Sequence, residues 1–192
     1  MDGAPYSLCV YCGSRPGGDP AFLEAARDLG RAIGSEGWRL VYGAGDVGLM
    51  GAVAEAAHDA GARTLGVIPV HLLSREAPRG LSADRIVTET MHERKKVMLM
   101  NADAVAVLPG GAGSLDEFFE VLTWAQLGLH TKPILLLDVN GFWRPLAALL
   151  DHIVAQGFAA PSLLRLVQIV PTVPAAVEAL RSARSRASAT PE

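Results

Sequence analysis

The sequence predicts an α/β fold in which helices cover both faces of an open, mostly parallel sheet. Short apolar segments alternate along the chain with longer segments of helical periodicity, which is the order that βαβ crossovers require. Two of the apolar segments, Ala104–Leu108 and Ile134–Leu137, are almost uninterrupted, as is typical of strands buried on both faces. Half of the 192 residues are hydrophobic, which is enough for one domain with a full core.

Each predicted strand is a short apolar or β-prone segment, and each predicted helix is a longer amphipathic one. The strands are Ser7–Tyr11, Arg39–Tyr42, Thr64–Val70, Arg85–Val87, Ala104–Leu108, Ile134–Leu137 and Leu166–Ile169. The helices are Pro20–Ser35, Leu49–Ala60, His92–Asn101, Ser114–Leu127, Trp143–Gln156 and Pro174–Arg184. We expect one domain over residues 1–184 and a disordered tail at residues 185–192.

Charge and hydropathy exclude several kinds of partner. The net charge of −3 argues against a broad nucleic-acid or anionic-membrane surface. No window approaches the ~20 uninterrupted apolar residues that a membrane span needs. Residues 1–5 carry no basic stretch before an apolar core, so a secretory signal is not expected. A cytoplasmic enzyme or binding protein is therefore predicted.

Cys9 and Cys12 form a C-x-x-C pattern. A redox pair with this spacing needs a turn that opens a helix, whereas the apolar, β-prone residues here predict a strand. Residues three apart in a strand point to opposite faces, which separates the two thiols. There is neither a second cysteine pair nor an H-E-x-x-H motif, so no metal site is predicted.

The segment Gly43–Gly48 reads G-x-G-x-x-G between a predicted strand and a predicted helix. That pattern is a weak indication of a dinucleotide site, which also needs an acidic residue at the end of the next strand for the ribose hydroxyls. The predicted strand Thr64–Val70 ends without one, and the first acidic residue afterwards is Glu76. A close-packing turn, or a ribose or base contact, is the favoured interpretation over an NAD site.

The most informative segment is Pro109–Glu117, which reads P-G-G-A-G-S-L-D-E directly after a buried strand. Its glycines leave backbone N–H groups open to an anion, and the start of the following helix is electropositive. Glu117 would then lie close to a bound phosphate. The alternative is structural, because S-x-x-E is a capping box in which Glu117 only satisfies a backbone N–H.

Two further segments supply groups for the same site. Arg94, Lys95 and Lys96 lie on the helix before the glycine segment, and they include two of the three lysines in the chain. Their alternative role is a solvated helix face, and at most two of three adjacent helical residues can address one site. A small-residue loop, Cys12–Arg15, follows the first strand and offers further N–H and hydroxyl donors, with Gly13 and Ser14 as its predicted site residues.

The predicted helix Ser114–Leu127 has almost no polar face. A helix that is apolar nearly all round is buried on more than one side. A homodimer formed through this helix region is favoured over a helix sandwiched within one subunit, since burying several such side chains at ~25 cal/mol per Å² makes a dimer hard to separate.

Taken together, these segments resemble the LOG ("Lonely Guy") family. Pro109–Glu117 is similar to its P-G-G-x-G-T-x-x-E motif, and Met91–Met98 to its M-H-x-R-K-x-x-M segment. Further similar blocks lie at 12–14, 42–51 and 123–130, so the resemblance runs from about residue 8 to residue 158. It implies a Rossmann-like fold, usually dimeric, and a cytokinin riboside 5′-monophosphate phosphoribohydrolase, a type of enzyme often mislabelled lysine decarboxylase.

The resemblance also implies the site residues. It makes Arg94 and Glu117 catalytic, and it places Glu76, Lys95 and Thr123 in contact with substrate. The full predicted substrate-binding set is Gly13, Ser14, Glu76, Lys95, Gly110, Gly111, Ala112, Gly113, Ser114, Leu115, Asp116 and Thr123. The chain departs from the family pattern at Ser114, where threonine is typical, at Ala112, where plant enzymes carry an aromatic residue, and at Ala44, where glycine is typical.

The expected reaction cleaves the N-glycosidic bond of AMP or N6-modified AMP, giving a free base and ribose 5-phosphate. A carboxylate beside C1′ stabilises the oxocarbenium-like transition state, and we expect Glu117 to do this while it orients or activates water. Arg94 is expected to stabilise the redistributed charge. No cofactor or metal is expected.

Three alternatives belong to other classes of protein. The main one is a non-catalytic carrier of a nucleotide or cofactor, which the presence of both Arg94 and Glu117 disfavours. A nicotinamide oxidoreductase lacks the acidic residue noted above. A pyridoxal-phosphate-dependent lysine decarboxylase needs a Schiff-base lysine, and neither Lys95, Lys96 nor Lys132 lies in a recognisable cofactor motif.

Overall fold

The computed structural model describes residues 5–73 and 84–189. Within them the chain forms an all-parallel sheet of seven strands in the order β4-β3-β2-β1-β5-β6-β7. The strands are β1 Ser7–Tyr11, β2 Arg39–Tyr42, β3 Arg63–Pro69, β4 Asp84–Thr88, β5 Ala104–Val107, β6 Ile134–Leu137 and β7 Val167–Val170. The predicted α/β fold with an open parallel sheet is confirmed.

Six α-helices alternate with these strands in the described part of the chain. They are α1 Pro20–Ser35, α2 Gly48–Asp59, α3 Met91–Met100, α4 Ala112–Gln126, α5 Arg144–Ala155 and α6 Val173–Ala189. No helix among them is both long and apolar enough to cross a membrane. Most predicted ends shift by one or two residues, but the predicted end of the last helix at Arg184 is wrong. Residues 185–189, expected in a disordered tail, are helical because alanine and arginine favour helix.

Helices cover both faces of the sheet, and the sheet divides the core into two layers. One layer holds α1, α2 and α6, with buried side chains such as Leu29, Val53 and Leu180. The other holds α3, α4 and α5, with buried side chains such as Met98, Phe118 and Leu150. Burying a side chain of this size stabilises the fold by roughly 1.5–3 kcal/mol relative to leaving it in water. Strand β1 is buried along its whole length between the layers.

Cys9 lies in β1 and Cys12 directly after it, and the two side chains point to opposite faces of the sheet. Cys9 packs in the layer of α3, α4 and α5, whereas Cys12 packs in the layer of α1 and α2. Both are free and buried, and burial raises the pKa of each thiol far above its ordinary value. The prediction that the two thiols lie on opposite faces is confirmed, and such thiols are unreactive.

The order of the strands creates a crevice beside β1. From β1 the chain proceeds outward through β2, β3 and β4, and it then returns to place β5 on the other side of β1. The last residues of the two strands, Tyr11 and Val107, are paired, so the loops that follow leave side by side and then diverge. Ligands in open α/β sheets bind at such a junction, outside the carboxyl ends of the strands.

Candidate active site

A cavity of about 440 Å³ opens at this junction. It is lined by Cys12, Gly13, Ser14, Arg15, Met50, Leu72, Met91, Arg94, Gly111, Ala112, Gly113, Ser114 and Glu117. Both predicted catalytic residues are in this list, together with six of the predicted substrate-binding residues. The walls come from the loops after β1 and β5, from the turn after β3, from the first turns of α2 and α3, and from the first two turns of α4.

The glycine-containing loops after β1 and β5 are hydrogen-bonded to each other at the base of the cavity. The Gly13 N–H donates to Pro109 O at 3.0 Å, which joins the loop after β1 to the loop after β5. The Gly13 carbonyl accepts from the N–H groups of Leu49 and Met50 at 3.1 and 3.3 Å, which ties the start of α2 to the same point. At Gly110 a Cβ would lie 2.1 Å from Ser114 Oγ, so only glycine fits there. The backbone around the cavity is thus preorganised.

Helix α4 begins earlier than the sequence predicts. Its N-cap is Gly111, which makes no side-chain capping bond, and the first helical residue is Ala112. The alternative interpretation of S-x-x-E as a capping box is therefore wrong, because Ser114 already lies in the first turn and Glu117 in the second. The N–H groups of this first turn have no intrahelical acceptor, and they belong to residues that line the cavity. They form a ready anion-binding site.

Glu117 is a buried carboxylate on the cavity wall, with 8% of its surface exposed. Burial raises its pKa to about 7; Arg94 opposes that shift and Asp116 adds to it. Among the described residues, none forms a hydrogen bond or ion pair with its side chain. A carboxyl group with a pKa near neutrality and no structural partner is suited to acid–base or electrostatic chemistry.

Arg94 is the buried cation of the site, with 4% of its surface exposed. Its Nε donates to Val67 O at 3.1 Å, and its Nη2 donates to Gly43 O at 2.7 Å. Because both acceptors are neutral carbonyls, they orient the guanidinium without cancelling its charge. Gly43 is required here, since a Cβ at that position would lie 1.8 Å from Nη2.

The helix that carries Arg94 is held by a capping box. Glu93 N donates to Thr90 Oγ1 at 3.2 Å, and Thr90 N donates to Glu93 Oε2 at 3.4 Å. These bonds fix the first turn of α3, from which Arg94 projects. The T-x-x-E pattern at Thr90 therefore forms a capping box, whereas the S-x-x-E pattern at Ser114 does not.

The G-x-G-x-x-G segment packs structural elements together. Gly48 has a φ of +61°, and a Cβ there would lie 2.4 Å from Arg15 N, so this glycine lets α2 approach the loop after β1. Strand β3 ends at Pro69, and the turn that follows, Val70–Leu72, contains no carboxylate. This arrangement agrees with the close-packing interpretation. Ala44 also has a φ of +61°, a conformation that glycine adopts more readily.

Several predicted site residues do not line the cavity. Lys95 Nζ lies 3.0 Å from the carboxylates of both Asp116 and Glu120, and it bridges α3 to α4. Gly110 lines a neighbouring pocket of about 200 Å³ instead, and Thr123 is exposed on α4. Leu115 and Asp116 are likewise absent from the cavity wall, and Glu76 lies outside the described residues.

The cavity does not fit pyridoxal phosphate. None of the chain's three lysines is among its lining residues. Lys95 is engaged as described, Lys96 is exposed, and Lys132 Nζ donates to the carbonyls of Leu99 and Ala102. A Schiff base therefore has no donor amine at this site.

Five lining residues were not predicted: Cys12, Arg15, Met50, Leu72 and Met91. Cys12 and Arg15 belong to the predicted donor loop Cys12–Arg15, although neither was among the predicted site residues, so the position of that loop was the available signal. Met91 begins the motif that contains Arg94. Leu72 lies in the turn after β3, and no motif in the sequence predicts that it lines the cavity.

The fold and the cavity define a class of protein. This is a Rossmann-like protein whose cavity combines an anion-binding helix start with a buried carboxylate and a buried guanidinium. Such a site suits a phosphorylated small molecule that is to be held beside an acid–base group.

Comparisons with known proteins identify the family. The chain matches the family described as "Possible lysine decarboxylase" over residues 50–180. It is 45% identical over 165 residues to the cytokinin riboside 5′-monophosphate phosphoribohydrolase LOG of Oryza sativa subsp. japonica, covering 86% of this chain and 68% of that protein. It is 42% identical over 180 residues to the cytokinin riboside 5′-monophosphate phosphoribohydrolase of Rhodococcoides fascians, covering 93% and 90%. The chain belongs to the LOG family.

A more distant solved structure confirms the fold. The molybdenum cofactor binding protein of Rippkaea orientalis superposes with a TM-score of 0.71 at 23% identity, covering 96% of this chain and 99% of that protein. At this identity the likeness concerns the architecture alone.

Proposed function

We propose that this chain hydrolyses the N-glycosidic bond of adenosine 5′-monophosphate, or of its N6-modified forms, releasing the free base and ribose 5-phosphate. The observation that carries the proposal is the pair of buried, oppositely charged groups, Arg94 and Glu117, on the wall of a cavity with an anion-binding helix start. Membership in a family whose curated members carry this activity supports it.

The 5′-phosphate would lie against the first turn of α4. Gly111, Ala112 and Gly113 present backbone N–H groups there, and Ser114 adds a hydroxyl. Binding at this point fixes one end of the nucleotide about one helical turn from Glu117. The ribose would then extend across the cavity toward the carboxylate, with C1′ beside it.

The reaction is a displacement of the base by water. The water oxygen bonds to C1′, the C1′–N bond breaks with its electron pair going to the base, and the base takes up a proton. Glu117 in its ionised form orients the water, accepts its proton and stabilises the positive charge that develops on the ribosyl ring. Arg94 orients the substrate and stabilises the redistributed charge. The chemistry calls for neither an organic cofactor nor a metal ion.

A panel of nucleoside 5′-monophosphates, scored by chromatography for released base, tests the proposal. We expect adenine or an N6-substituted adenine to be released by the wild-type chain. Glu117→Gln and Arg94→Ala are expected to lower turnover by roughly 10²-fold or more, the scale of losing one acid–base or electrostatic contributor. The exposed carboxylate Glu55 on α2 provides a control, and Glu55→Gln should retain full turnover.

A non-catalytic carrier would behave differently in the same assay. It would bind AMP and leave it intact through a long incubation, which would overturn the hydrolase assignment. Equal base release by the wild type, Glu117→Gln and Arg94→Ala would overturn the assignment of the two residues.

The subunit arrangement and location are further proposals. We propose a homodimer formed through the region of α4, where Phe119, Trp124 and Ala125 are only half-buried within one chain. The cytoplasmic location stays a prediction from the sequence.

A further inference from the structure

Arg15 is a charged residue at the mouth of the site with no role assigned so far. It lies in the loop after β1, its side chain is exposed, and it lines the active-site cavity. It also lines the neighbouring pocket of about 200 Å³. Arg15 therefore stands where the two cavities adjoin.

The backbone at this position is held in place from two sides. Gly48 packs against the N–H of Arg15, and Gly13, two residues before Arg15, is hydrogen-bonded to Pro109, Leu49 and Met50. A side chain on a fixed backbone loses less freedom when it engages a ligand, so its contribution to binding is larger.

The surroundings of Arg15 offer it few partners. Among the described residues, the only other charged side chains lining the active-site cavity are Arg94 and Glu117, and the adjoining pocket contributes none. That pocket is walled by Phe22, Leu49, Pro109 and Phe142 together with glycines and Pro16. Across the described ranges, no ion pair or hydrogen bond holds the Arg15 guanidinium.

A phosphate monoester carries more negative charge than a helix N-terminus alone can balance, which indicates a role for Arg15. Such a group carries about −1.5 to −2 charges at neutral pH, whereas a helix N-terminus supplies about half a positive charge. Arg94 is oriented by the carbonyls of Val67 and Gly43 and lies near Glu117, while Lys95 is bound by Asp116 and Glu120. Among the described lining residues, Arg15 is the remaining cation on the wall of the cavity.

We propose that Arg15 binds the 5′-phosphate and makes the site specific for nucleotides over nucleosides. The inference rests on the proposed function, because it assumes that the phosphate lies at the first turn of α4. A guanidinium can bind two phosphate oxygens at once, which adds both affinity and orientation.

The test compares Arg15→Ala and Arg15→Lys with the wild type, using AMP and adenosine as substrates. We expect Arg15→Ala to raise KM for AMP about tenfold or more, the scale of one charge-assisted hydrogen bond, and to leave kcat within about twofold. Adenosine hydrolysis should not change, so the preference for AMP shrinks. Lysine should restore part of the affinity as a point charge.

A matched control uses Arg165, an exposed arginine just before the edge strand β7, at the amino ends of the strands and so at the far side of the sheet from the cavity. Arg165→Ala removes the same net charge and should leave both substrates unaffected. An unchanged KM for AMP in Arg15→Ala would overturn the proposal, as would an equal change for AMP and adenosine.

Calorimetric titration with inorganic phosphate separates this inference from the proposed function. Weaker phosphate binding by Arg15→Ala supports the assignment of Arg15 even if the wild type releases no base. Conversely, if the wild type hydrolyses AMP and both proteins bind phosphate equally, the role of Arg15 is overturned while the hydrolase assignment stands.

Discussion

At the scale of single residues, the burial of Glu117 affects both the stability of the fold and the proposed reaction. Its carboxylate is buried where the ionised form is poorly solvated, and this raises its pKa from an ordinary 4.5 to about 7. The same burial removes water from the place where positive charge develops in the proposed reaction, and it strengthens the electrostatic effect of the carboxylate there. The group that we propose for catalysis is thus unfavourable for folding when it is ionised.

The first prediction concerns stability. Because the folded-state pKa lies above the unfolded value, the stabilisation from the protonated form is complete below pH 4.5 and is lost as the pH rises through about 7. An ionised Glu117 then costs up to about 3 kcal/mol at pH 8. Glu117→Gln should raise Tm relative to the wild type at pH 8 but not at pH 4. Thermal unfolding at the two pH values checks this, and an equal difference at both would contradict it.

The second prediction concerns the pH dependence of the rate. If ionised Glu117 is the active form, kcat/KM should rise with pH through about 7 and then level off. The phosphate of AMP titrates near pH 6, so the protein group has to be observed directly. Carbon-13 NMR of the glutamate carboxyl carbons, with Glu117→Gln for assignment, should show one group titrating near 7. A Glu117 signal that titrates near 4.5 would contradict the prediction.

The third prediction concerns Gly43, which touches no substrate in the proposed mechanism. Gly43→Ala would place a methyl group 1.8 Å from Arg94 Nη2, so the guanidinium has to move. We expect turnover to fall nearly as far as in Arg94→Ala, measured in the base-release assay. Gly18, where a Cβ would meet nothing within 4 Å, is the matched control, and Gly18→Ala should be close to wild type.

At the scale of elements, α3 and α4 act as one support for the site. Arg94 projects from one helix and Glu117 from the other, and Lys95 joins them through Asp116 and Glu120. Burial alone would lower the pKa of Lys95, but its hydrogen bonds to the two carboxylates raise the pKa above its ordinary value. The lysine therefore stays charged and holds the two helices in register.

The fourth prediction separates this bridging role from the substrate contact that the family resemblance implies for Lys95. Lys95→Met removes the cation and leaves two carboxylates close together, so the free energy of unfolding should fall by roughly 1–3 kcal/mol. Adding Glu120→Gln should restore part of the loss, as measured by urea unfolding. Unchanged stability with a raised KM for AMP would instead indicate a direct contact with substrate.

Elements also show what the sequence could predict and what it could not. Periodicity located every described strand and helix, because apolar runs and amphipathic stretches reflect burial directly. The pattern T-x-x-E at Thr90 and the pattern S-x-x-E at Ser114 look alike, yet only the first forms a capping box. The difference arises because Ser114 packs on Gly110 and the helix starts at Ala112, a tertiary effect that local sequence does not contain.

The site was predictable to the extent that its residues lie in motifs. Arg94, Glu117 and the glycines lie in short motifs whose residue types indicate phosphate binding and acid–base chemistry. The structure brings them together at one cavity. Arg15, Met50 and Leu72 come from a loop, a helix and a short turn that are far apart in sequence, and only the strand order places them there. The sequence also does not reveal which way a helical side chain points. Lys95 follows Arg94 directly, yet its side chain is directed toward Glu120 and not into the cavity.

At the scale of the whole molecule, exposed apolar side chains continue the face of α4. Leu127 and Leu129 are 67% and 69% exposed in the single chain, beside the half-buried aromatic residues of the helix. The fifth prediction is that the protein is a dimer in solution and that Leu127→Asp with Leu129→Asp gives a monomer. Light scattering after gel filtration checks the mass against that of one chain.

A control for this prediction lies elsewhere on the surface. Phe158 is 86% exposed at the turn after α5, and Phe158→Asp should leave the dimer intact. A wild-type protein with the mass of a single chain would refute the dimer.

The position of β1 between β2 and β5 bears on how the protein is made. During synthesis Arg94 leaves the ribosome before Glu117, and β1 has only one neighbour until β5 emerges. An unfinished chain therefore carries a bare, apolar strand edge, the kind of surface that pairs with wrong partners. Insertion of β5 covers that edge, and the helix that follows β5 then brings Glu117 toward Arg94, so the two groups come together only once the centre of the sheet has formed.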